Sequence, residues 1–563
     1  MNHAYVQALH GSIHQAHAHF EDLRDHLHPQ AVADLFAEYV NDMLLQAGRA
    51  TLGVRVRSQY PSLLTKNPKL RLLERECRRM WNRVQNTNSE AIRLHLRPQL
   101  QRLTEMRRHY AFTARKVLKV QTSQNHRALN RCPGNILARN LKRLHKTSTR
   151  APSLLASPEA FADHLRTQFQ PVNSTIPTSN FPQPCPPANE TPNDVLSART
   201  VSMAIRDLKS GKSPGPNNVS IDLYKGVREP ISHLLSRYFC FLLNTGTVPE
   251  AWKCAFIHPV PKKPSAVEPA DFRPITLTDT LRKVYERSLK DYVVSLIEPL
   301  ATEQCGFRKG RGTLQQVAAL QEDFIQFQHT HKVPGALAFL DISKAYDTVD
   351  RSILWQLCAL RGLPLAMKKT LIQLFEGCTS QVVHKGYFSP PISHEAGLLQ
   401  GSCLSPILYS LFINDIVEAA KGDDLEVKVY LFADDIALFA PNHARMQMAL
   451  DRCTNFAQQR HFQFSPTKCA VLVHPVEHAP LSIQRVQLPE VHEFKYLGVC
   501  FTPSGIDWDV HFKRGVEKQR RALWHFRLLS FHQHGFLPRT REFVFKLFLR
   551  PISEYGLAIL PRR

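Results

Sequence analysis

The sequence predicts a mixed α/β (α+β) chain: a sheet-containing body whose strand ends carry acidic residues, preceded by a basic, mostly helical N-terminal region. Three observations carry this. Two apolar runs of strand length, residues 336–340 and 427–433, lead into Asp341 and into Asp434-Asp435. Around them, apolar residues recur at helical spacing, as with Val349, Ile353, Leu354 and Leu357 in a helix expected over 343–357. Finally, 24 of the 72 Lys+Arg fall within residues 51–150, against only 4 Asp+Glu there.

The chain has 563 residues, enough for several domains. No apolar stretch reaches the roughly 18 residues of a membrane span, which excludes an integral helical membrane protein. The first residues, MNHAYVQALHGSIHQAHAHF, lack a basic segment followed by an apolar core, so no secretory leader is expected. The 12 Cys include no CxxC pair. That argues against a zinc knuckle, a redox motif or a secreted disulfide framework, and fits scattered reduced thiols.

Residues 1–150 read as a helical N-terminal extension without catalytic motifs. Its first 50 residues are net −4 and hold 7 His, among them His14, His17 and His19, expected to form a polar helix face. Residues 51–150 are net +20, residues 511–563 net +9, and the body between them is close to neutral. A neutral body flanked by strongly basic segments points to a polyanionic partner, and RNA binding is expected of the first.

Residues 151–196 form a Pro-rich linker, with nine Pro between 151 and 195 and a short helix expected over Pro158–Gln168. Regular structure resumes near Ser197. Ser210-Gly211-Lys212-Ser213 imitates the end of a phosphate-binding loop, but Arg206 stands where that loop needs Gly. The following Pro214-Gly215-Pro216 also forbids the helix such a loop opens, so a turn is expected.

The carboxylates carry the chemistry. Asp341 closes one apolar strand, and Asp434-Asp435 sit between two others in a strand–turn–strand pattern. Adjacent acids between apolar strands are costly unless a cation neutralises them. Mg²⁺ prefers such oxygens and keeps positions for water and phosphate, and two ions can serve the attacking and leaving oxygens of a phosphoryl displacement. Asp341 and Asp434 lie 93 residues apart, so the site has to be assembled in space. Between them, Ala396-Gly397-Leu398-Leu399-Gln400-Gly401-Ser402 is glycine-rich backbone suited to close approach, and a buried helix follows from Leu404.

These segments, in this order, resemble the reverse transcriptase domain of non-LTR (LINE-like) retrotransposons. LDISKAYDTVD is similar to that family's motif A, GLLQGSCLSPILYSLFINDI to motif B and YLFADDIALFA to motif C. Upstream, LKSGKSPGPNNVSIDLYK, WKCAFIHPVPKK, DFRPITLTDTLRKVYER and EQCGFRKGRGT resemble its N-terminal and finger motifs; downstream, FSPTKCAVLV resembles motif D and FKYLGVCF motif E. The resemblance covers about residues 197–560.

It implies a right-hand polymerase: fingers and palm over 197–509, and a thumb, possibly truncated, over 510–563. Asp341, Asp434 and Asp435 would hold two Mg²⁺ ions (Mn²⁺ substituting), with Asp341 and Asp434 the direct ligands. Tyr346 would stand against the incoming sugar and exclude a 2′-OH. Arg273, with Lys262 or Lys263, would contact the nucleotide phosphates, and Gln400 and Gly401 would line the nucleotide pocket. Lys468 would act near the pyrophosphate as general acid, although Ser465 precedes it where relatives often have Asn. Tyr496, Leu497 and Gly498 would grip the primer end, while Arg308, Lys309 and Arg311 would contact the template. In the thumb, Val516, Leu523 and Phe526 are expected inward, with Arg and Lys outward along duplex phosphates.

The implied activity is RNA-directed DNA synthesis from dNTPs on template RNA at a DNA primer or target 3′-OH, with nuclear residence. The family's endonuclease and CCHC knuckle are not found, so the chain looks like part of an element. Rival readings are a group II intron-type enzyme, a viral RNA polymerase (disfavoured by Ala433 where Gly is usual), and a non-catalytic RNA-binding remnant acting through residues 51–150.

Overall fold

The computed structural model describes residues 3–52, 158–170, 195–263, 266–332, 335–384, 387–472, 479–528 and 537–560. The basic region expected at 51–150 lies almost wholly outside the described residues. The chain divides into two compact units, one of residues 1–53, 151–511 and 556–563, the other of 54–150 and 512–555.

The first unit begins with two helices, α1 (His3–His26) and α2 (Pro29–Leu52). Leu9, Ile13, Ala16 and Phe20 repeat at helical spacing and are buried, as are Val32, Phe36 and Val40 opposite them. The expected polar histidine face is present in part, with His14 exposed and His19 packed on the Tyr39 ring at 4.6 Å. This hairpin shares the main hydrophobic core rather than standing apart as the head of a 1–150 extension. The Phe36 and Tyr238 rings meet at 4.8 Å, and the Tyr238 hydroxyl donates to the Ala33 carbonyl at 2.6 Å.

Helix α3 (Pro158–Gln168) lies within the expected linker and has the expected bounds. It is docked: Phe161, Leu165 and Phe169 form a small core with Ile257, Phe272, Val382 and Ile392. After α4 (Ala198–Asp207), the sequence around Gly211 is a turn, its N–H bound to the Asp222 carboxylate at 2.9 Å. Helices α5 (Ile221–Gly226) and α6 (Arg228–Thr245) lead to a mixed sheet whose core order is β2-β1-β4-β5, formed by β1 (Cys254–Pro261), β2 (Phe272–Leu277), β4 (Thr379–His384) and β5 (Tyr387–Phe388). Helix α7 (Thr280–Ile297) and α8 (Thr313–His331) then precede the central strand β3 (Ala336–Asp341).

A second sheet has the order β12-β9-β3-β8-β7, with β6 (Ile392–Ser393) belonging to the first sheet. Its strands are β3, β7 (Lys428–Phe432), β8 (Asp435–Ala440), β9 (Ala470–Leu472) and β12 (Glu490–Val491). Strand β3 is buried from Ala336 to Leu340, as a central strand must be. Alternation divides it: Ala336, Ala338 and Leu340 join the main core, while Phe339 stacks on Phe494 at 4.5 Å across the other face. The sequence resemblance would make this sheet the palm and the first sheet part of the fingers.

One local expectation fails. The helix foreseen over 343–357 starts only at Arg351, as α9 (Arg351–Leu360), because the Asp350 carboxylate caps it through the Ser352 and Ile353 N–H groups. The preceding residues form a turn, with Lys344 at φ +51° and Asp347 N–H bound to the Lys344 carbonyl at 2.8 Å. That turn brings Tyr346 back toward the end of β3.

In the second unit, the described residues 512–528 and 537–555 have a core of Phe526, Val544 and Leu549, with Leu523 packed against it. Val516, expected inward, is exposed, because Gly515 and Gln519 face the backbone at Leu549–Ser553 instead.

Candidate active site

Strands β3 and β8 run antiparallel with Asp341 directly opposite Asp435. Asp434 sits one residue earlier, in the turn of the β7–β8 hairpin. That turn requires Ala433 in the left-handed region at φ +61°. A loop over residues 301–306 holds it: Cys305 N–H donates to the Leu431 carbonyl at 2.8 Å, and the buried Gln304 Oε1 accepts from Gly306 N–H at 2.8 Å and Ala433 N–H at 3.2 Å. A Cβ on Gly306 would lie 2.3 Å from the Ala433 nitrogen, so only glycine fits. Sequence reasoning missed Gln304; its one signal was its place two residues before Gly306.

The three carboxylates share one electrostatic environment. Asp435 is pushed up to about 6, first by loss of surrounding water and then by the negative charges of Asp434 and Asp341. Burial, followed by Asp341, also raises Asp434, against the opposing pull of Lys468 and Arg273. Lys468 Nζ donates to Asp341 Oδ2 at 3.0 Å, and its backbone is anchored to the same strand end through Ser465, whose N–H meets the Asp341 carbonyl at 2.8 Å. Lys262 is lowered by burial and by the charges of Lys468 and Arg273, and its Nζ donates to the Ala270 carbonyl at 2.8 Å. Lys263 instead pairs with Asp271 at 2.8 Å and braces its own hairpin.

Among the described residues, no three His, Cys, Asp or Glu side chains are drawn together closely enough to hold one metal ion, Asp341 being turned to Lys468. The donor set nonetheless suits a hard divalent cation. It is all carboxylate, it stands on facing strand ends, and its mutual repulsion is the kind a cation relieves.

The glycine-rich loop closes the pocket floor. Leu398 N–H donates to the Tyr346 carbonyl at 2.7 Å and Gly397 N–H to the Val349 carbonyl at 2.9 Å. Gly397 has φ +81°, and a Cβ there would lie 2.6 Å from the Asp347 oxygen. Gly401 is as tightly placed: its Cβ would stand 2.1 Å from the Thr276 carbonyl oxygen of β2. Gln400 Nε2 donates to Asp347 Oδ1 at 3.0 Å, and burial pushes that buried carboxyl up to about 6. The half-buried Tyr346 ring stacks on Tyr409 at 5.0 Å and 14°, and burial first, then the Asp434 charge, raises its hydroxyl. Behind the loop, wholly buried Glu286 on α7 accepts from Ser402 Oγ at 2.8 Å and Cys403 N–H at 2.7 Å.

Other predicted residues fall outside this cluster. β13 (Phe494–Tyr496) and β14 (Val499–Thr502) form a tight hairpin with Leu497 at φ +44° and Gly498 at φ +94°, the geometry of a type I′ turn. The Tyr496 side chain points into the core, its ring 5.3 Å from Phe339. Arg308 is also turned inward, donating to the Ala301 carbonyl at 2.9 Å and to Glu298 at 3.0 Å, while Lys309 and Arg311 are exposed.

Comparison with known proteins bears on the same stretch. Residues 260–501 match the family described as reverse transcriptase (RNA-dependent DNA polymerase). The chain is 26% identical over 463 residues to the probable RNA-directed DNA polymerase from transposon BS of Drosophila melanogaster, covering 76% of this chain and 48% of that protein. It is also 26% identical over 436 residues to the RNA-directed DNA polymerase from mobile element jockey of the same organism, covering 72% and 46%. A third relative, the Pol polyprotein from type-2 retrotransposable element R2DM, is 26% identical over 311 residues, covering 52% and 29%. This chain thus spans less than half the length of these curated relatives.

Proposed function

We propose that this chain, which carries a reverse transcriptase domain over residues 260–501, is an RNA-directed DNA polymerase of the non-LTR retrotransposon kind, acting in the nucleus. It would extend a DNA 3′-OH on template RNA with dNTPs. The observation that carries this reading is the strand register that sets Asp341 opposite Asp435, with Asp434 in the adjoining turn and Lys468 hydrogen-bonded to Asp341.

In the reaction, the primer 3′-oxygen bonds to the α-phosphorus of the dNTP and the bond to pyrophosphate breaks. Two Mg²⁺ ions, held by Asp341, Asp434 and Asp435, would supply Lewis-acid activation of that hydroxyl and charge neutralisation on the leaving group. Arg273 and Lys262 bind the triphosphate oxygens. Tyr346, braced by the Tyr409 ring, packs against the sugar and leaves no room for a 2′-OH. Gln400 and Gly401 form the floor beneath the nucleotide. Lys468, released from Asp341, is placed to give a proton to the departing pyrophosphate.

Primer extension on an RNA template tests this. Wild-type chain is expected to incorporate dNTPs in Mg²⁺, with Mn²⁺ substituting, and Asp434→Ala to abolish incorporation. No incorporation by the wild type, or equal incorporation by the variant, rejects the reading. Tyr346→Ala is expected to admit NTPs, which separates the sugar gate from the metal site.

A further inference from the structure

The entry to the glycine-rich loop is held from outside. Gly397 and Leu398 N–H donate to the carbonyls of Val349 and Tyr346, and the Gln400 carbonyl accepts from Thr276 N–H of β2 at 2.9 Å. The two residues before Gly397 reach to a different segment. Glu395 N–H and Ala396 N–H both donate to the Phe169 carbonyl, at 3.2 and 3.0 Å. Phe169 directly follows α3, within the stretch that the sequence assigns to a Pro-rich linker.

This clasp has a plain physical cause. A helix leaves its last carbonyls without partners of its own. The Phe169 N–H closes onto the Leu165 carbonyl at 3.0 Å, and the Phe169 carbonyl beyond it is satisfied by the two loop N–H groups. The side chain fixes where that carbonyl stands. Phe169 is buried, and its ring lies against the His394 ring at 4.2 Å and 31°. His394 is itself immobilised. Its N–H donates to the Cys378 carbonyl at 2.9 Å, its Nε2 pairs with the Ser380 hydroxyl at 2.7 Å, and its carbonyl accepts from Arg351. Phe169 also lines a cavity of about 10 Å³ with Thr276, Asp347 and Gln400. That is room for one water at most, so no solvent layer cushions the loop from the clasp. Leu165, one turn earlier, is buried in the same small core, but its carbonyl is bonded to Phe169 rather than to the loop.

We propose that Phe169 is a positioning residue for the nucleotide pocket, setting the placement of residues 395–401 from a segment outside the sheet-bearing body. Its kinetic consequence rests on the polymerase reading above: a displaced loop weakens dNTP binding without touching the carboxylates.

The test uses the full chain in primer extension, with thermal melting of each variant. Phe169→Ala is expected to raise the dNTP KM at least fivefold while kcat stays within about twofold. Phe169→Leu, which keeps most of the apolar volume, is expected to restore KM to within about twofold of wild type. Leu165→Ala is expected to lower the melting temperature with KM unchanged. A KM unmoved by Phe169→Ala, a fall in kcat alone, failure of Phe169→Leu to restore KM, or an equal KM rise in Leu165→Ala overturns the proposal. Amide hydrogen exchange on the wild type decides it without any variant: Glu395 and Ala396 are expected to exchange as slowly as Gly397 and Leu398, and rapid exchange at the first two overturns the clasp. Wild type that incorporates no dNTP overturns the polymerase reading, while the exchange measurement still judges the clasp.

Discussion

Glu286 offers the sharpest test of how the pocket floor is held. It lies one turn after Arg282 on α7, and both side chains are fully buried with Arg282 Nε 2.7 Å from Glu286 Oε1. The guanidinium also donates to the carbonyls of Trp252 at 2.7 Å and Leu374 at 2.6 Å. The second carboxylate oxygen receives the Ser402 hydroxyl and Cys403 N–H next to Gln400 and Gly401. Glu286→Ala leaves a buried positive charge without its counterion, a loss of about 3–5 kcal/mol. Stranding the Cys403 N–H adds about 1–3 kcal/mol, partly overlapping, so a net loss of about 4–6 kcal/mol is expected. Arg282→Met/Glu286→Leu removes both charges together, and should be less destabilising than the single change, at about 2–4 kcal/mol, because the orphaned carbonyls and N–H remain. Urea denaturation followed by tryptophan fluorescence reads both variants, since Trp252 is one of the groups Arg282 holds. A loss below about 1 kcal/mol for Glu286→Ala, or a double variant as unstable as the single, would refute the claim that this pair fastens the loop.

Asp347 supplies a pH test. Its carboxyl is raised from 3.8 to about 6 in the fold, so the folded state binds its proton more tightly, and stability from this group is full below pH 4 and lost as pH rises through 6. Asp347→Asn keeps an oxygen for Gln400, so it is expected to raise the unfolding free energy at pH 7.5, by on the order of 3 kcal/mol at most, with little effect at pH 4; equal effects at both would contradict this. Gly401→Ala forces a methyl to within 2.1 Å of the Thr276 oxygen, and dNTP incorporation should fall at least tenfold. Gln304→Leu strands the N–H groups of Gly306 and Ala433 beneath the acidic turn, and about 2–5 kcal/mol of stability should go with most of the activity. Unchanged melting and kinetics in that variant would show that the turn holds itself.

Much of the site was legible because its signals are local. A strand that is buried on both faces must be apolar throughout, so Asp341 at the end of residues 336–340 and Asp434-Asp435 between two such runs stood out. The bounds of α3 were legible from helical spacing, as was the turn at Gly211 from its prolines. The late start of α9 was not, because a capping carboxylate at Asp350 outweighed an apolar periodicity that ran further back. Nor was the inward turn of Arg308, whose partners lie on residues before the loop that carries it. Nor was the docking of the first hairpin on Tyr238, which depends on surfaces far apart in sequence.

By itself the sequence determined which carboxylates stand at strand ends and the period of the elements that bear them, since both follow from neighbours along the chain. The tertiary structure alone decided that Asp341 faces Asp435, that Gln304 supports the turn between the strands, and that a buried Arg282–Glu286 pair anchors the loop below. Those depend on strand order and on packing between segments far apart along the chain, as Asp341 is from Asp435 and Glu286 from Ser402. A linear pattern does not encode such pairings, because each is chosen by the joint burial of surfaces that exist only after folding.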